Sequence, residues 1–203
     1  MNFFYHKYDL PDKVHFNGDI AIDCEAMGLN ILRDRLCVVQ IGDGYGNAHL
    51  VHFPSLDYAA PNLKALLTNE KTIKIFHFGR FDLAIMQHYL GIKLKNIYCT
   101  KIASKLSRTY TESHSLRELC SELINVTISK QQQRSDWGAA ELTQKQIEYA
   151  GSDVLYLHSL RATLNKMLIR ENRMKLAQRC FDFLPDRAEL DLSGWCDSDI
   201  FAH

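Results

Sequence analysis

Three short β-like runs fill the first third of the chain and set what it can become: Asp19-Ile-Ala-Ile-Asp23, Leu36-Cys-Val-Val-Gln-Ile41 and Ala48-His-Leu-Val-His-Phe53. The segment Gly42-Asp-Gly-Tyr-Gly-Asn47 between the last two is a hairpin connection, so those strands are expected to pair antiparallel. After Pro61 the pattern changes. A helix is expected over 62–68, a β-run over 72–76, a helix from about 81 to 89 and a short fifth strand at 96–99. Ser115 and Thr143 stand at the starts of two further helical stretches, 115–123 and 143–167. A hairpin sheet followed by alternating β and α implies an α/β fold, a mixed sheet flanked by helices. At 203 residues and 46% hydrophobic, one core is affordable and two are not, so a single domain over 1–203 is expected. The tail from about 185 loses periodicity but keeps Leu190, Leu192, Trp195 and Phe201, which implies packing on the domain or on a neighbouring subunit.

The amino terminus mixes His6, Lys7 and Asp9 with apolar residues, unlike a secretory signal, and no apolar run approaches the roughly 18 residues of a membrane span. A soluble, cytoplasmic protein with no membrane partner is expected. The six scattered cysteines contain no C-x-x-C pair and read as small buried hydrophobes, neither zinc ligands nor disulfides. Formal charge is zero, which argues against holding long nucleic acid on a broad basic surface. Positive charge is nevertheless segregated: residues 93–134 hold eight lysines and arginines against three acids.

Three local patterns carry chemistry. Asp23 and Glu25 flank Cys24 at the end of an apolar run, so strand alternation puts both acids on one face and Cys24 in the core. Two adjacent carboxylates repel unless a cation is present, which points to metal ligation, although Asp-x-Glu alone is more often structural. In His77-Phe-Gly-Arg-Phe-Asp82, a β-run passes into a helix near whose start Asp82 falls, a place the helix dipole also favours for any acid. In Tyr149-Ala-Gly-Ser-Asp153, the i, i+4 spacing projects phenol and carboxylate from one helix face.

Taken together, the three patterns resemble the exonuclease motifs I, II and III of the DEDD superfamily in its tyrosine-containing branch. Further likeness to ribonuclease D covers Cys99-Thr-Lys-Ile-Ala103, His114 to Cys120, Lys130 to Trp137 and Leu142 to Asp153. The resemblance implies a ribonuclease H-like fold and a 3′-5′ exonuclease using two divalent cations, Mg²⁺ or Mn²⁺, held by Asp23, Glu25, Asp82 and Asp153. It implies that Asp23 bridges both ions, that Glu25 and Asp153 complete the one on the nucleophile side, and that Asp82 serves the other. Tyr149, with an ordinary pKa of about 10, is a poor base at neutral pH and is expected to orient the attacking water.

Ribonuclease D adds helical RNA-binding domains, and the forty or so residues after Met167 leave no room for them. The chain therefore resembles the compact α-proteobacterial relatives known as nanoRNase C, which implies very short RNA, down to dinucleotides, as substrate and an octameric ring. The alternative is ribonuclease D-like trimming of longer RNA or single-stranded DNA; a non-catalytic RNA-binding module would leave the four acids and the tyrosine without a purpose. Substrate contacts are expected from Met27, Gly28 and Leu29, where the glycine allows close approach and Leu29 either wedges between two bases or packs in the core. His77, Lys101, Lys105, Arg108, Gln133 and Arg134 are candidates to grip a 5′ phosphate. Trp137 either stacks on a base or fills the core.

Overall fold

The structure is a computed structural model that describes residues 1–128 and 135–203. Six strands form one sheet in the order β1-β4-β3-β2-β5-β6. Strands β2 (Ile20–Ala26), β3 (Leu36–Gly42) and β4 (Asn47–His52) form the antiparallel centre, as the turn signals imply. The hairpin closes because Asp43 accepts hydrogen bonds from the backbone N–H of Tyr45 (2.7 Å) and of Asn47 (3.1 Å). On one side β5 (Lys74–Phe76) and β6 (Ile97–Cys99) continue in parallel, and on the other β1 (Asn2–Lys7) runs parallel to β4.

Strand β1 is absent from the sequence expectation. Its exposed positions, Asn2, Phe4 and Lys7, mix polar and apolar side chains, and it is a strand only because β4 offers it a partner. The stretch expected as one helix over 143–167 is two, α5 (Gln144–Leu155) and α6 (Leu157–Arg170), separated at Tyr156. Neither Gly nor Pro marks that break. It frees α5 to lie across β1 to β4 while α6 packs on β5, β2 and helices both before and after it in the chain. The remaining helices are α1 (Pro61–Thr68), α2 (Arg80–Leu90), α3 (Thr100–Ser107), α4 (Leu116–Ile124) and α7 (Met174–Leu190). Both α4 and α5 begin with capping boxes, Ser115 with Glu118 and Thr143 with Gln146. Helix α7 runs through the buried Pro185, so regular structure extends past the point where periodicity is lost. Asp191, just beyond it, accepts from Arg80 at 2.6 Å.

The larger core joins Ile22, Val39, Ile41 and Val51 to the helices. A smaller cluster of Val38, Leu50, Trp137, Ile147 and Ala150 lies under α5. Helix α5 approaches the sheet closely at Gly42, where a Cβ would stand 2.8 Å from the carbonyl oxygen of Val154. That neighbour is backbone and cannot swing aside. Gly42→Ala is therefore expected to push α5 off the sheet and to lower stability by about 1–3 kcal/mol, read from denaturant unfolding. An unchanged midpoint would show that the contact is slack.

Candidate active site

Asp23 and Glu25 project from the central strand β2, and their Cα partners on β3 are Gln40 and Val38. Asp82 enters from the first turn of α2. The preceding connection is tight. Phe78 adopts a left-handed backbone (φ 63°), and a Cβ on Gly79 would lie 2.7 Å from that of Phe76. Tyr149 and Asp153 descend from α5. All five side chains line one cleft of about 750 Å³, together with Met27, Gly28, Leu29, His77, Phe78, Phe81, Ser135 and Trp137.

One carboxylate oxygen each from Asp23, Glu25 and Asp153 lies within 4.8 Å of the others. Asp82 lines the same cleft but is not one of that trio. Cys24 between the two strand acids is buried, as alternation requires. Burial raises all four acids above the carboxylate range, and the charge of Asp23 adds to it at Glu25, Asp82 and Asp153. Asp23 is pushed up to about 7 and Asp153 to about 8. A set of hard oxygen donors that repel one another in a buried cleft is suited to a hard divalent cation. Burial, followed by the charges of Asp153, Glu25 and Asp23, raises the Tyr149 phenol still further, so it keeps its proton at neutral pH.

The expected substrate residues divide. Leu29 is 87% exposed, which removes core packing as its role. Gly28 lines the cleft, but the space its missing Cβ leaves is occupied by Asp34, whose Oδ2 would be 2.2 Å away. The His77 ring bonds through Nδ1 to Thr100 Oγ1 at 2.9 Å, and that hydroxyl donates to the Phe76 carbonyl at 3.0 Å. Nδ1 therefore carries the proton, and Nε2 is left as an acceptor. Burial, aided by Lys101, holds His77 down to about 3, so it meets a substrate as a neutral ring and not as a cation for phosphate. The Lys101 ammonium sits 4.3 Å above the Phe78 ring, at the cleft's edge. Arg108 is not available there. Its side chain is 0% exposed and bonds to Ser104 Oγ (3.1 Å), the Ser113 carbonyl (2.7 Å) and Glu122. Elsewhere in the segment Lys93 pairs with Asp186 and Glu189, and Lys95 with Glu70, whereas Lys105, an exposed residue of α3, is not among those that line the cleft. Lys130, Gln133 and Arg134 lie outside the described residues. Trp137 is buried and packs 6.2 Å from the Tyr149 ring, so it is core and cleft wall at once. Phe78 and Phe81 are cleft residues that sequence reasoning passed over; their place inside the strand-to-helix turn with Asp82 was the available signal.

A family described as 3′-5′ exonuclease matches residues 8–169. The chain belongs to that family. Ribonuclease D of Zymomonas mobilis is 32% identical over 157 residues, 77% of this chain; the chain spans 39% of that relative's length. Among solved structures, Brucella melitensis NrnC bound to pGG is 54% identical with a TM-score of 0.97, covering 100% of this chain and 99% of that one. The same protein with bound Mg²⁺ is 53% identical with a TM-score of 0.95, covering all of both chains. The fold of this exonuclease is thus the ribonuclease H-like fold of the DEDD enzymes, and the family's use of divalent metal fits its acids.

The raised acids give the ion-free exonuclease a pH signature. The unfolded chain releases the Asp23 proton near pH 4, whereas the folded protein holds it to about 7, so Asp23 lowers stability progressively as pH rises between those values. In excess chelator, Asp23→Asn is expected to raise Tm more at pH 8 than at pH 5. An equal shift at both would mean that Asp23 titrates normally.

Proposed function

We propose that this exonuclease hydrolyses very short RNA, down to dinucleotides, from the 3′ end to nucleoside 5′-monophosphates, using two Mg²⁺ or Mn²⁺ ions. The observation that carries the chemistry is the convergence of Asp23, Glu25 and Asp153 within 4.8 Å, with Asp82 and Tyr149 on the same cleft. Bound ions would supply Lewis-acid activation of water and stabilisation of the leaving 3′ oxygen in an in-line displacement at phosphorus. Asp23, Glu25 and Asp153 hold that charge, and Asp82 completes the donor set from the opposite helix. The P–O3′ bond breaks as water's oxygen joins phosphorus. The attacking water sheds a proton to solvent and the displaced oxygen takes one up, becoming the 3′ hydroxyl of the shortened chain. Tyr149, kept protonated by its surroundings, orients the attacking water and removes no proton itself.

Substrate length rests on different support. NrnC, structurally alike over its whole length, was captured with pGG, two nucleotides bearing a 5′ phosphate. In this chain the exposed Leu29 is placed to wedge between two bases, with Met27 and Gly28 shaping the turn that carries it and Phe78 on the cleft wall. His77 offers an acceptor, and Lys101 supplies positive charge at the rim for a 5′ phosphate. Exposed Phe183, Trp195, Ile200 and Phe201 support burial of the tail region by neighbouring copies, in keeping with a homo-octamer. The six free thiols suit a cytoplasmic location, and no helix among the described residues is long and apolar enough to cross a membrane.

The test is a timed digestion of 5′-labelled RNAs of two to ten nucleotides with Mg²⁺ or Mn²⁺. Catalytic efficiency is expected to be greatest on the two-mer and to fall steeply with length. Tyr149→Phe should still bind the ions but lose most turnover. Equal efficiency on two-mer and ten-mer would favour trimming of longer RNA instead.

A further inference from the structure

Gln40, in the middle of β3, is fully buried, and neither its amide oxygen nor its amide nitrogen has a hydrogen-bond partner. A buried primary amide left in that state destabilises a fold, so its surroundings decide what it is for. Its register partner on β2 is Asp23, and residues directly opposite in an antiparallel pair share a face, with Cβ atoms about 5 Å apart. Its register partner on β4 is the apolar Leu50. Along β3 the same face carries Val38 and Gly42. Val38, Leu50 and Ala150 belong to the cluster beneath α5, and Gly42 abuts the Val154 backbone. The backbone groups of α5 overhead are engaged in their own helix. Of the two register partners of Gln40, Leu50 is apolar and Asp23 carries a carboxylate that can accept from the amide.

We propose that Gln40 is a positioning residue for Asp23: its Nε2–H, unpartnered in the ion-free fold, donates to the carboxylate oxygen when cations bind and fixes its orientation toward them. The inference rests on the two-ion reading of the acids. A ligating carboxylate retains acceptor capacity beyond the ion, and donors to that capacity hold ligands in place. An amide suits the task because it offers a donor without adding charge to a crowded site. A lysine or arginine there would compete with the cation, and an acid would add to the repulsion.

The test compares wild type with Gln40→Met and Gln40→Leu, which keep much of the volume and remove the amide. Three readouts are needed: ion-free Tm in chelator, Mn²⁺ affinity by calorimetry on folded protein, and dinucleotide turnover. Loss of an unpaired buried amide is expected to leave the ion-free Tm unchanged or higher, whereas Mn²⁺ affinity should weaken about tenfold or more. Turnover should fall and recover in part at high Mn²⁺. A residue that merely packs would give the reverse, a lower ion-free Tm with affinity within twofold of wild type, and that result overturns the proposal. Wild type that binds no Mn²⁺ would instead overturn the two-ion reading itself, before any substitution is made.

Discussion

Four carboxylates share one cleft at the centre of this molecule, and their mutual repulsion is the constraint to which the rest of the architecture answers. Burial raises Asp23, Glu25, Asp82 and Asp153, and the Asp23 charge adds to the effect at the other three. Such a cluster needs a rigid frame as well as a counter-charge. The frame comes from three elements that do not depend on one another locally: a strand flanked on both sides in the sheet, the first turn of α2, and the middle of α5. Close backbone approaches at Gly42 and Gly79 lock two of these elements against the sheet. The energetic consequence is a fold that carries stored repulsion whenever its acids are ionised and unscreened. Binding a cation relieves it, so affinity for the ion is in part relief of strain already present in the folded chain.

Charge elsewhere is arranged so as not to interfere. Of the lysines and arginines that look segregated in sequence, Lys93 meets Asp186 and Glu189, Lys95 meets Glu70, and Arg108 meets Glu122 of the same segment. Among the described residues, Lys101 stands over Phe78 on the cleft wall, and the cleft's histidine is held neutral. An enzyme so arranged gains little from long-range attraction along a polyanion and relies on contacts within the cleft. That local character accords with a small substrate held by its ends.

The clustered acids of the cleft were legible because their types, order and spacing survive translation into one dimension: Asp23 and Glu25 lie two residues apart on a strand, and Tyr149 and Asp153 lie one helical turn apart. The central hairpin was legible for the same reason, since its turn chemistry and apolar alternation are local. Other features were invisible where tertiary context decides. Strand β1 exists through its pairing with β4. The break at Tyr156 has no Gly or Pro to announce it, and α7 tolerates Pro185 in its interior. Arg108 looked like a phosphate ligand by type and neighbourhood, but Ser104, the Ser113 carbonyl and Glu122 enclose it. Gln40 reads in sequence as one polar residue in an apolar strand; only the register with Asp23 gives it significance.

The central claim is that the acids form a cation site on which activity depends, and counting the bound ions tests it most directly. Mn²⁺ titrated into chelator-treated protein, followed by electron paramagnetic resonance alongside hydrolysis of a dinucleotide, should show two ions per chain, with turnover rising as the sites fill. Hydrolysis at full rate with no bound divalent ion, or saturating Mn²⁺ that leaves the four carboxylates unliganded, would contradict the account.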